Sequence, residues 1–111
     1  MARTTFNGPV VSQNGFIAGT GSATITKVLT ASASLNFPSI SAASQADLTI
    51  TVTGAAVGDE VMMSLPAAPA AGLVFNAFVS AANTVTIRAS NITASPVDPA
   101  AATYGVIVLS A

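Results

Sequence analysis

Residues 47–53, Asp-Leu-Thr-Ile-Thr-Val-Thr, alternate without a break between polar and apolar side chains. An extended chain points successive side chains to opposite faces. Leu48, Ile50 and Val52 therefore line one face, and Asp47, Thr49, Thr51 and Thr53 the other. Such a run is a half-buried strand, and a strand needs partners. Residues 23–30 are β-branched and roughly alternating, and 32–37 alternate until Pro38 stops them. Residues 60–65 form a short apolar run ended by Pro66. Residues 73–79 place Leu73, Phe75, Ala77 and Val79 on one face, and 83–89 place Val85, Ile87 and Ala89 inward. Residues 104–109 are apolar on both faces, which predicts a central, covered strand. Gly54-Ala55-Ala56-Val57-Gly58-Asp59 reads as a turn, and the Ala- and Pro-rich stretches 66–72 and 94–103 as loops. Short strands with Pro- and Gly-rich connections predict an all-β fold, a β-sandwich or jelly roll of about seven to eight short strands over residues 22–111.

Residues 1–21 differ in kind. They are polar and turn-rich (Asn7-Gly8-Pro9, Asn14-Gly15, Gly19-Thr20-Gly21) and carry Phe6, Val10, Val11, Phe16 and Ile17 without helical or strand period. Spaced apolar anchors on an irregular segment predict an extended N-terminal arm that docks on another surface. A flexible terminus is the plainer alternative.

Composition separates a packed chain from a disordered one. Leu, Ile, Val and Phe account for 30 of the 111 residues, above the share of about a fifth below which chains tend to stay disordered. Ala, Ser and Thr account for 48, a density that suits tightly packed β structure. Only seven residues are charged, with a net charge of −1. A monomer of this mass exposes ~5,600 Å², so there is about one charge per 800 Å². Soluble monomers are far more charged. Sparse charge predicts that much of the surface is covered, in an oligomer or on a larger assembly. It also gives no electrostatic footprint for nucleic acid. The most apolar stretch, 61–79, is broken by Pro66, Pro69, Gly72 and Asn76, so no membrane-spanning helix is expected. The opening residues hold no continuous apolar block, and no secretory leader is expected.

Few residues carry chemistry. There is no Cys, hence no disulfide, thiolate metal site or cysteine nucleophile, and no His, the commonest general base and metal ligand. Asp59 and Glu60 are adjacent and would point to opposite faces of a strand, which makes a poor catalytic pair. Gly54 and Gly58 lack the Lys-Ser/Thr end of a phosphate loop. Asn91-Ile92-Thr93 fits a glycosylation sequon, and with no secretory leader expected it reads as a chance match. The four acids are not spaced for calcium. No catalytic residue, cofactor or metal is expected. Arg88 lies on the polar side of its strand, and Asp98 precedes Pro99 in a loop; the two are candidates for a structural or inter-subunit ion pair.

Two regions resemble the small capsid cement (decoration) proteins of tailed bacteriophages, including those of cyanobacteria. One is the arm, Thr4-Thr5-Phe6-Asn7-Gly8-Pro9-Val10 through Asn14-Gly15-Phe16. The other is the body, with Ile40-Ser41-Ala42-Ala43, residues 47–59 ending in Val57-Gly58-Asp59, residues 79–88 with Asn83-Thr84-Val85-Thr86-Ile87-Arg88, then Asn91-Ile92-Thr93 and Val97-Asp98-Pro99. The resemblance implies a homotrimer on the outer capsid surface of the virion that glues neighbouring major capsid protein subunits. Phe6, Val10, Phe16 and Ile17 would then be the capsid-binding anchors. Related β modules also occur in head fibres and tail parts, so another virion structural module is the alternative. A glycan-binding β-sandwich is disfavoured by a single Tyr and no Trp.

Overall fold

The computed structural model describes residues 3–111. Its regular structure is entirely β: β1 (Phe16–Ile17), β2 (Thr24–Ile25), β3 (Lys27–Leu35), β4 (Gln45–Thr51), β5 (Glu60–Ser64), β6 (Leu73–Ala81), β7 (Thr84–Asn91) and β8 (Ala102–Ser110). Among the described residues no helix is long and apolar enough to cross a membrane.

Six strands form the body, in two antiparallel three-stranded sheets ordered β3-β8-β5 and β4-β7-β6. Only β6 and β7 are joined within a sheet; every other connection from β3 onward crosses between sheets. β3 packs near β4 and β5 near β6. The architecture is thus the sandwich of the two expected, three strands on three, rather than an eight-stranded jelly roll. The runs 23–30 and 32–37, which read from sequence as separate strands, merge mostly into β3. Ala31 keeps the alternation in phase, so Leu29, Ala31, Ala33 and Leu35 all pack on the core.

The period-two pattern builds that core. Ile50 and Val52, Val85, Ile87 and Ala89, and Tyr104, Val106 and Val108 are buried between the sheets. Phe37, on the crossing from β3 to β4, inserts its ring against Tyr104 of one sheet and Phe75 of the other. The centroids lie 5.7 and 6.1 Å away, in edge contacts. One ring therefore ties both layers.

Three polar devices hold the crossings. Asp59 Oδ2 accepts from the Ala56 backbone N–H at 3.0 Å and from Lys27 Nζ at 3.1 Å, and Lys27 Nζ also donates to the Gly54 carbonyl at 2.8 Å. This fixes the β4–β5 turn to the start of β3. Glu60, next along, opens β5 with an exposed side chain. The β6–β7 hairpin turns at Ala82-Asn83, where Asn83 takes the left-handed region (φ 61°) that Asn tolerates better than most residues. Asn83 Oδ1 accepts from the Gly54 N–H at 2.8 Å, so the hairpin tip is pinned to the same turn. Asn91 is buried: its Nδ2 donates to the Ile40 and Ser95 carbonyls at 2.9 and 2.8 Å, and its Oδ1 accepts from the Thr93 N–H and hydroxyl. The sequon-like triplet is a loop organiser whose amide is fully engaged.

Residues 3–15 belong to no strand, and β1 doubles back antiparallel on β2, with Phe16 opposite Ile25 and Ile17 opposite Thr24. The expected boundary at 21/22 thus falls inside this ribbon. Residues 1 and 2 of the expected arm lie outside the described residues. The molecule measures 58 × 28 × 24 Å.

Candidate docking surface

The two outer faces of the sandwich are built from the same alternation and differ in chemistry. On β4-β7-β6, Asp47 stands directly opposite Arg88 in the register. Arg88 Nε and Nη2 each donate to one Asp47 carboxylate oxygen at 2.9 Å. The guanidinium lies 5.1 Å from the Phe78 ring centroid. The Arg88 hydrogen bonds hold the Asp47 carboxyl below its ordinary range, and the same bonds raise Arg88. One row over, Thr86 Oγ1 donates to Ser80 Oγ at 2.6 Å. The two charges of this face are thus paired with each other, among outward Thr and Ser side chains and an exposed Val74. This corrects the expected Arg88–Asp98 pair: the partner of Arg88 is Asp47, because cross-strand register places them side by side. Asp98 is an exposed loop residue that makes no ion pair among the described residues.

The outer face of β3-β8-β5 reads, in register, Val28–Leu109–Glu60, Thr30–Ile107–Met62 and Ser32–Gly105–Ser64. Val28, Met62 and Ile107 keep 65, 52 and 40 % of their surface exposed. Glu60 is the one charge in these rows. A shallow depression of ≈ 600 Å³ runs over Gly105, between Thr30, Ser32, Met62, Ser64 and Ile107. Gly105 keeps it open, since a Cβ there would sit 2.8 Å from Ser64 Oγ. β8 is central in its sheet, as its two-sided apolarity predicts. Its outward Ile107, however, is exposed and its outward Leu109 half-buried in the single chain.

This face continues into the N-terminal segment. Phe6, Val10 and Phe16 gather with Ile25 and Val28 around a second depression of ≈ 460 Å³. Three of the four expected anchors thus come together. Ile17, next to Phe16 on a strand, does not line this depression. All four are more than half exposed. Val28 belongs both to this depression, which Ser12, Thr26 and Lys27 also line, and to the outer face, so the apolar side chains of the two patches meet at Val28. Sequence reasoning does not single out Val28, Met62 and Ile107 as surface residues. The readable signal is the apolar outward phase of 104–109 and the uninterrupted Val61-Met62-Met63.

The chain exposes 7182 Å², about 1,600 Å² more than a globular monomer of its mass. That excess is about twice the ~800 Å² that one partner buries in a standard protein–protein interface. No group of three or more His, Cys, Asp or Glu among the described residues is placed to hold a metal. Compared with known proteins, the chain matches no family, no curated protein and no solved structure.

Proposed function

We propose that the protein is a structural adhesive, a capsid cement protein that decorates the outer surface of a tailed-phage shell as a homotrimer and clamps neighbouring major capsid protein subunits. The observation that carries this reading is the run of exposed apolar side chains from Phe6 and Phe16 through Val28 to Ile107 and Met62, set against an opposite face whose two charges pair with each other. The β3-β8-β5 face meets neighbouring copies, and Phe6, Val10, Phe16 and Ile17 meet the capsid protein. Each bound trimer bridges several capsid subunits and binds only the assembled shell, so its binding free energy adds to shell stability by linkage. Edge strands on the capsid protein offer unpaired backbone groups to which the N-terminal segment adds. The resemblance of residues 4–17 and 38–109 to cement proteins supplies the identity of the partner; the surface supplies the mode of contact.

The test has two steps. Light scattering after size exclusion measures the solution mass, expected at three times 10.9 kDa. Co-sedimentation with undecorated shells, assembled from the major capsid protein of the same genome, then measures binding. A monomer that leaves such shells bare overturns the proposal.

A further inference from the structure

We infer that Asn7 is a site of spontaneous, backbone-assisted deamidation that turns the N-terminal segment from neutral to acidic with time. The backbone nitrogen of the following residue, once deprotonated, attacks the Asn side-chain carbonyl carbon. A C–N bond forms, ammonia leaves, and a five-membered succinimide remains. Water then opens either carbonyl, giving aspartate or isoaspartate. The net exchange is one amide and one water for one carboxylate and one ammonium ion, with no other reactant.

The six asparagines differ in access to this chemistry. Asn36, Asn76, Asn83 and Asn91 precede Phe, Ala, Thr and Ile, whose Cβ atoms obstruct the approach of the attacking nitrogen. Asn83 and Asn91 are also held by the hydrogen bonds described above. Only Asn7 and Asn14 precede glycine. Gly15 is fixed at φ 97°, with a hypothetical Cβ 2.7 Å from the Ile25 carbonyl oxygen. The Asn14–Gly15 linkage thus packs closely against β2, next to the Phe16–Ile25 pairing, which restrains the backbone rotation that brings nitrogen to carbonyl. Asn7 and Gly8 form an exposed bend. Neither the Asn7 side chain nor the Gly8 N–H is hydrogen-bonded among the described residues, and nothing lies within 4 Å of where a Gly8 Cβ would be. Asn7 is therefore free to cyclise, and it converts before Asn14.

The consequence rests on the docking reading above. A carboxylate at position 7 stands beside the Phe6 anchor, where burying it against an apolar partner costs desolvation. The net charge of −1 becomes −2 with this single conversion. An isoaspartate also lengthens the backbone by one atom between Phe6 and Val10. Freshly made protein docks, and protein that ages unbound loses the ability.

The full chain is incubated at mildly alkaline and mildly acidic pH and mapped by proteolysis and mass spectrometry. Asn7 is expected to convert first, faster at alkaline pH, with isoaspartate among the products. Gly8→Ala, which meets no neighbour, should slow conversion at residue 7 at least tenfold while leaving that at Asn14 unchanged, and Asn7→Gln should suppress it. An Asn7 that stays intact while Asn14 or an interior asparagine converts overturns the assignment, as does conversion that Gly8→Ala does not slow. Asn7→Asp is then tested for shell binding, with at least a tenfold loss expected. Conversion without that loss upholds the modification and removes residue 7 from the docking surface.

Discussion

Ile107→Glu places a carboxylate at the centre of the apolar β3-β8-β5 face. Ile107 is 40 % exposed in the single chain. Full burial of such a side chain is worth about 1.5–3 kcal/mol, so covering the remaining two-fifths contributes about 1 kcal/mol per contact. The substituted carboxylate would be buried there without a partner, which adds a few kcal/mol. Together the change weakens each contact by about 4 kcal/mol, or about a thousandfold in the association constant. The fold itself should be little affected, because a half-exposed outward position lets the longer side chain carry its charge into water. Ile107→Thr, which keeps the β-branched shape, controls for strand propensity. Light scattering over a dilution series reads the association, and urea unfolding of the dissociated chain reads the fold. Wild-type trimer against variant monomer, with the urea midpoint of the monomer nearly unchanged, is the expected result. A variant that associates as tightly as wild type refutes the reasoning, because the face is then not the interface.

Phe37→Ala should cost about 3–5 kcal/mol, since it opens a cavity where one ring contacts both sheets; Phe37→Leu should cost markedly less, and urea midpoints at constant slope check both. Deleting residues 1–20 should leave the sandwich folded, with wild-type shell occupancy lost, as read by circular dichroism and co-sedimentation. Asp59 is held below its ordinary carboxyl range, first by the Ala56 N–H and then by Lys27. A depressed folded-state value means stability that is present above the unfolded value of 3.8 and lost as pH falls through the folded one. Asp59→Asn should therefore lower stability at neutral pH and flatten the acid limb, measured as urea midpoints from pH 7 downward.

The strands are legible in the sequence because burial on one face imposes a period of two, and residues 47–53 state it cleanly. The apparent break between 30 and 32 is not a strand boundary. Ala31 carries no β preference of its own; its inward phase decides, and phase is a property of the whole strand. The hairpin turn at Asn83 reads as strand because Ala82-Asn83 lacks the glycine that marks most two-residue turns. Sequence places Arg88 in an ion pair and assigns it the wrong acid. Composition names the candidate acids, but register chooses among them, and register depends on which strands are neighbours. Phe6, Val10 and Phe16 stand out because large apolar side chains on an irregular, polar segment gain nothing from being there unless they meet a surface. Ile107 and Met62 do not stand out as surface residues, because an apolar strand reads as buried, and the sequence does not say by what.

That last ambiguity carries physical content. A strand apolar on both faces is satisfied either by a layer of its own chain or by another molecule. Six strands suffice for one core and leave no third layer to cover the outer side of β8. The same alternation gives β7 an outward Arg88 and Thr86, each with a partner on a neighbouring strand. It gives β8 an outward Gly105 and Ile107, flanked by Ser32, Ser64, Thr30 and Met62, and no charge at all. Of the seven charged side chains, Lys27, Asp59, Asp47 and Arg88 are engaged in ion pairs within the chain, and only Glu60 remains on the β8 side. With so little field to steer an encounter, the association proposed for this side would rest on shape and on release of water from apolar surface.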